Sequence, residues 1–353
     1  MRRILITFWI LTTIAFTSCK SEEQVYSNDY EIAIIETTGN DNKSRIYYYN
    51  DELELLNEYS LPYGTMGNIF YNPVIFNNNL YSIPQGLANE KDLKRVIEFN
   101  LEDGKVTEYK IDQLAMNSLA VNNEYIYTCN TVNGISYINQ YTLEDDIANI
   151  VDIAEVYISK LMVVEEEIYA FGSIKGENGI EAYIYVFDSM LNSKEKINIT
   201  SSGSSQYKAI FIDDYLYFSN LMDKNDQPGK TVSRMSINNH EVENIMLNSP
   251  YPSDLLQYND YLVIAHCNLV TNEGNSITFY NMKDETIEEV TLNHPVTQIN
   301  IKENYLYIFD GNNLFKYEIN QDKISELELI KEIELKKEVR SGNYNYISGF
   351  YVK

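Results

Sequence analysis

Apolar residues in this chain fall into short runs separated by polar turns, and the order of runs and turns repeats. Leu119-Ala120-Val121 is followed by Asn122-Asn123 and then by Tyr125-Ile126-Tyr127. Leu161-Met162-Val163, Glu165-Glu166 and Ile168-Tyr169-Ala170-Phe171 repeat that order, as do Ala209-Ile210-Phe211, Asp213-Asp214 and Tyr215-Leu216-Tyr217-Phe218. The runs are short and rich in β-branched and aromatic residues, and Asn, Asp and Gly punctuate them, which are strand and hairpin signals. A longer loop then leads to a third run, such as Val96 to Phe99, Tyr183 to Phe187 or Ile277 to Tyr280. A turn such as Leu101-Glu102-Asp103-Gly104 opens a fourth, such as Val106 to Ile111, Val242 to Leu247 or Ile287 to Leu292.

The apolar residue that opens the second strand falls at Ile32, Leu80, Ile126, Ile168, Leu216, Leu262 and Leu306, with gaps of 48, 46, 42, 48, 46 and 44 residues. Seven units of four strands at this period predict an all-β chain, a seven-bladed β-propeller of four-stranded antiparallel blades. The first unit lacks a first strand, while the tail from Tyr346 to Val352 has no unit left to serve. This tail is expected to pair beside Tyr30 to Glu36 and close the ring, which removes two sheet edges. The alternative places Val25-Tyr26-Ser27 in that slot. Ile324 to Val339 fits both strand and helix patterns, and a long last strand is expected.

The N-terminus changes the picture of location. Arg2 and Arg3 precede an uncharged stretch from Ile4 to Phe16, too short to span a bilayer comfortably but suited to a secretory signal. Phe16-Thr17-Ser18-Cys19 resembles the bacterial lipobox, with Phe16 in place of the usual Leu. The resemblance implies acyl chains on Cys19 that hold the protein on a membrane by burying methylenes. A plain secretory signal with an incidental Cys is the alternative. The expected division is a signal peptide over 1–18, a lipidated linker over 19–29 and the propeller over 30–353. The site is then the extracytoplasmic face of the cell membrane or outer membrane.

Charge narrows the partners. The 353 residues carry 27 Lys and Arg against 52 Asp and Glu, a net charge of −25. Such a surface repels phosphate backbones and anionic headgroups, so no nucleic-acid partner is expected and the anchor must be the lipid. The only Trp, Trp9, lies in the signal, while Tyr occurs 31 times. This argues against WD-type repeats, Trp-docked quinoprotein blades and sialidase-type Asp boxes. Cys129 and Cys267 fall in the third and sixth blades, nearly opposite in a ring of seven, so both thiols are expected to be free and buried.

The stretch IYTCNTVNGISYINQYTLEDD, residues 126 to 146, resembles a repeat of the YVTN/lactonase-like seven-bladed propellers. The likeness covers residues 30 to 353 and implies architecture more than function, because that group includes enzymes, cofactor binders and adhesive or scaffolding proteins. In such a ring the first strand of each blade lines the channel. The more varied loops lie on one face, where a protein, small-molecule or glycan ligand is expected.

Eight residues before the second-strand opener of the second to seventh blades lie Asn72, Ser118, Lys160, Lys208, Asp254 and Gln298, all polar. They form a candidate collar around the channel mouth. Lys160 and Lys208, in adjacent blades of an acidic protein, can grip a carboxylate or phosphate. The plainer reading is that strand ends near solvent are polar.

No cofactor is expected. Asp223, Asn225 and Asp226 offer oxygen ligands of the kind Ca²⁺ takes, but Pro228-Gly229 already account for a turn there. His294 starts a channel connection that can meet the collar. No Gly-x-Ser-x-Gly elbow supplies a hydrolase nucleophile. The leading expectation is a non-enzymatic, membrane-anchored binding or scaffold module. The alternative is a metal-dependent lactonase- or lyase-like enzyme with Asp254, His294 and Asn72 as ligands.

Overall fold

A computed structural model describes residues 30–38, 43–67, 73–84, 94–111, 113–143, 149–176, 179–335 and 345–353. These residues form seven four-stranded antiparallel sheets and no α-helix. The fourth blade is typical, with strands Tyr157–Val164, Glu167–Gly176, Gly179–Asp188 and Ser193–Asn198 in that order. First strands of successive blades touch one another, so they form the inner ring. Outer strands such as Ser193–Asn198 and Leu327–Glu334 keep most of their side chains in water. Within the described part of the stretch that fitted both patterns, Leu327–Glu334 is a strand.

All seven second-strand openers occupy one structural position and are 0–1 % exposed. In five blades the next residue is a buried Tyr: Tyr81, Tyr127, Tyr169, Tyr217 and Tyr307. Apolar clusters fill the gap between each pair of neighbouring blades. Phe171 of the fourth blade meets Phe218 of the fifth at 5.3 Å between ring centroids. Such pairs add about 0.5–1.5 kcal/mol beyond area burial. Phe and Tyr do here what Trp does in other propellers. Tyr hydroxyls extend the same contacts: Tyr127 Oη donates to the Ser189 carbonyl of the next blade at 2.9 Å.

The hairpins between first and second strands are tight. Glu165, Asp213 and Asn259 take φ of 54°, 52° and 51° at the first turn position. Asn and Asp accept that conformation readily. The Asn122-Asn123 turn has one residue more than its sequence suggests. Asn122 Oδ1 accepts the N–H groups of Glu124 and Tyr125, so the loop spans three residues. Two loops on the variable face are short, because the second and third strands run on to Gly176 and Gly179 in the fourth blade and to Met222 and Pro228 in the fifth.

The C-terminal strand Asn345–Val352 closes the ring. It pairs antiparallel with Ile32–Thr38, from Ile32 opposite Val352 to Thr38 opposite Asn345. The first blade therefore takes its inner strand from the end of the chain, as the leftover tail requires. Cys129 and Cys267 are free and buried, and burial pushes the Cys267 thiol up to about 12. Asn72 and Cys19, with the whole of residues 1–29, lie outside the described residues.

Candidate functional site

The collar is built on a repeated irregularity. In the third, fourth, fifth and sixth blades the inner strand carries a β-bulge, between Met116 and Ser118, Ile158 and Lys160, Gln206 and Ala209, and Pro252 and Asp254. The first blade has its extra residue at Ser348, next to Gly349. In the seventh, Thr297 and Gln298 share Phe309 in the same way. A bulge puts two residues opposite one and re-aims their side chains. The extra residue is often Ser or Thr, and its hydroxyl donates across the hairpin. Ser159 bonds the Phe171 carbonyl at 3.4 Å, Ser253 that of Ala265 at 3.3 Å and Thr297 that of Phe309 at 2.6 Å.

The collar residue follows, and in three blades it ties the ring together. Ser118 Oγ accepts the N–H of Leu161 at 2.8 Å. Asp254 Oδ2 accepts that of Ile299 at 3.1 Å, and Gln298 Oε1 that of Phe350 at 3.3 Å. Each acceptor reaches the same position one blade onward, the residue just after the next collar residue. These bonds contribute about 1 kcal/mol each and fix the spacing of neighbouring inner strands.

Lys160 and Lys208 break the rule, because an ammonium has no lone pair to offer. Lys208 Nζ turns to Asp254 Oδ1 at 2.8 Å. Asp254 is nearly fully buried and also accepts its neighbour Leu255 N–H at 3.0 Å, so it is held from three sides. The Lys160 ammonium has no hydrogen bond or ion pair among the described residues. Its pKa is pushed down to about 8, first by desolvation within the ring and then by the Lys208 charge, with Asp254 pulling the other way. Two amines thus stand near one carboxylate at the axis of an acidic protein, and only Lys208 pairs with it.

Lys160, Lys208 and Gln298 line one end of an axial lumen of about 370 Å³, and Phe76, Val121 and Val163 line it near the hairpin turns. Between these ends its lining is mixed, with Met162, Ala209 and Asn300 among the lining residues. The space therefore lies between the collar and the hairpin face. On the other side of the collar, Tyr207, Ser253, Asp254 and Thr297 border a space of only about 30 Å³. That holds no more than a water or two.

The lysine without a partner carries a stability cost with a definite pH window. Its pKa falls from 10.5 to about 8 on folding, so the unfolded chain binds the extra proton between those values. Stability must then rise as pH climbs from about 8 to 10.5, while below 8 the whole cost is present. A shift of this size corresponds to about 3 kcal/mol, less whatever water in the lumen relieves. Lys160→Met, similar in length and uncharged, is expected to raise stability by about 2 kcal/mol at pH 7. The gain should vanish above pH 10.5. Urea unfolding of both proteins across that range is the measurement, and a gain that does not depend on pH would refute the assignment.

The other candidates lie elsewhere. Asp223 Oδ1 accepts the N–H groups of Asn225 and Gln227 at 2.7 and 2.9 Å, closing its own turn, and Asp226 N–H bonds the Asp223 carbonyl within it. His294 does not reach the collar. It stacks on Phe315 at 3.7 Å, and its Nε2 lies 2.7 Å from Tyr317 Oη, both on a third strand. His266 is buried between the Pro250 carbonyl and Thr278, and burial lowers its pKa. His240 pairs with Glu195 in a turn. Among the described residues no three His, Cys, Asp or Glu side chains converge.

No family model matches the sequence, and no curated protein matches it. Solved structures with the same fold include the periplasmic gluconolactonase PpgL of Pseudomonas aeruginosa, at 8 % identity and a TM-score of 0.61 over 92 % of this chain and 99 % of that one. The dihydro-heme d1 dehydrogenase NirN matches at 11 % identity and a TM-score of 0.57 over 87 % of this chain, which spans 65 % of NirN. A functionally unknown protein from Desulfotomaculum acetoxidans matches at 12 % identity and a TM-score of 0.57, over 85 % of this chain and 95 % of that one. At these identities the likeness is one of fold: the chain is a seven-bladed β-propeller.

Proposed function

We propose that this protein is a lipid-anchored, extracytoplasmic propeller that binds a small organic anion in its axial lumen, as a binding module and not an enzyme. The observation that carries the reading is Lys160. It sits without a partner at the head of a ligand-sized cavity, at a position where other blades spend a neutral or acidic side chain on tying the ring. A carboxylate or phosphate would supply the charge that Lys160 lacks, and the mixed polar and apolar lining below would take the rest of the molecule. Lys208 holds the second positive charge in place through Asp254.

The test is thermal unfolding of the purified protein against a panel of small carboxylates, organic phosphates and their neutral amides. A ligand at about 100 times its Kd stabilises by about 2.7 kcal/mol. Only the anions are expected to do so, and Lys160→Met and Lys208→Met should each abolish the effect. Equal shifts from acid and amide would end the anion reading. Turnover of a lactone with added divalent cation would favour instead the enzyme alternative, which rests on the fold shared with the periplasmic gluconolactonase. The anchor is tested apart from the lumen: Cys19→Ala should move the protein out of the membrane fraction and abolish palmitate incorporation.

A further inference from the structure

Lys160 differs from an ordinary anion-binding lysine in what surrounds it. Nothing among the described residues engages its Nζ, and its nearest charged company is a second amine already satisfied by Asp254. Below it the lumen is lined by both apolar and polar residues, Met162, Ala209 and Asn300 among them. Tyr351 lines the same lumen, and its Oη is buried with no hydrogen-bond partner. A methyl group added at Gly349 would lie 3.3 Å from that Oη and 3.5 Å from Gln298 Oε1, which places the hydroxyl at collar level. The bulge at Ile158 and Lys160 holds the amine at the lumen end of its strand.

We propose that Lys160 forms a Schiff base with a 2-oxo acid bound in the axial lumen. The inference rests on the anion reading and adds the chemical class of the ligand. Desolvation and a neighbouring cation are the two devices that turn a lysine into a nucleophile at neutral pH. With a pKa near 8, about a tenth of the Lys160 amine is neutral at pH 7, against roughly one part in 2,500 for an exposed lysine. The neutral Nζ attacks the ketone carbon and forms the C–N bond. The carbonyl oxygen leaves as water, taking with it the two hydrogens of the amine, and a C=N bond remains. No oxidant or reductant is needed. Lys208, fixed by Asp254, faces the carboxylate. Tyr351 Oη is the remaining donor for a ligand oxygen.

The full chain in detergent is incubated with pyruvate and sodium cyanoborohydride, and the modified lysines are mapped by mass spectrometry. Lys160 should gain the mass of the acid less one oxygen atom, about tenfold faster than the exposed Lys224. Lactate, an acid of the same size with no ketone, should slow the labelling by competition. Lys160→Arg should lose the label while the melting temperature shows the fold retained. Labelling of Lys160 no faster than of Lys224 overturns the proposal. In that case a melting shift with lactate and pyruvate leaves the anion reading standing, whereas no shift with either removes both. Equal labelling by propanal and pyruvate would remove the carboxylate from the ligand class.

Discussion

A chain ending at Tyr344 is expected to lose cooperative thermal unfolding and to run as an expanded species on gel filtration. The missing strand, Asn345–Val352, supplies the whole inner edge of the first blade. Phe350 is fully buried and Ile347 nearly so, and each contributes about 1.5–3 kcal/mol of burial. Ser348 Oγ also bonds the Met66 carbonyl at 2.8 Å, and Asn300 Nδ2 bonds the Phe350 carbonyl at 3.0 Å, so the strand joins the first blade to the seventh. Together these losses reach about 5–10 kcal/mol, comparable to the whole stability of a typical domain. A synthetic peptide of residues 345–353 added in trans should restore part of the transition by strand addition. A truncated chain that melts within a few degrees of the full one would show that the ring holds without its closing strand.

Asp254→Ala should be the most damaging single change at the collar. It leaves the Lys208 ammonium without its partner in the ring and strips the acceptor from the N–H groups of Leu255 and Ile299. Removing one member of such a pair costs about 3–5 kcal/mol. Asp254→Asn keeps one oxygen for Ile299 and should cost less. Adding Lys208→Met to Asp254→Ala should recover about half of the loss, because it removes the stranded charge but not the orphaned amides. Urea unfolding of the wild type, Asp254→Ala, Lys208→Met and the double variant completes the cycle, and a loss under about 1 kcal/mol for Asp254→Ala would show that water replaces the carboxylate freely.

The architecture was legible because one hairpin fixes a register. In each blade the opener of the second strand must face the interblade core, so Ile126, Ile168 and Leu216 mark equivalent depths and their spacing counts blades. The closing strand was legible by subtraction, since the run from Tyr346 to Val352 had to pair with something. The collar was legible only as a position. That Ser118, Asp254 and Gln298 are committed to amides of the next blade depends on contacts across 43 to 52 residues of chain, which no local pattern encodes. Lys160 stands out once those commitments are known. The bulges that set the collar level leave a faint trace, a Ser or Thr just before the collar residue at Ser159, Ser253 and Thr297. His294 misled because its place in sequence pointed to the channel, whereas stacking on Phe315 decided where the ring went.

The two buried thiols set a constraint on how this protein must mature. Cys129 and Cys267 belong to blades that are not neighbours, so no native arrangement joins them. On the extracytoplasmic location proposed above, they would meet freely in the nascent exported chain, and an oxidase that linked them there would make a loop the ring cannot accommodate. Under that proposal assembly would have to outrun oxidation, or a reductase would have to undo the error before the sheets interlock.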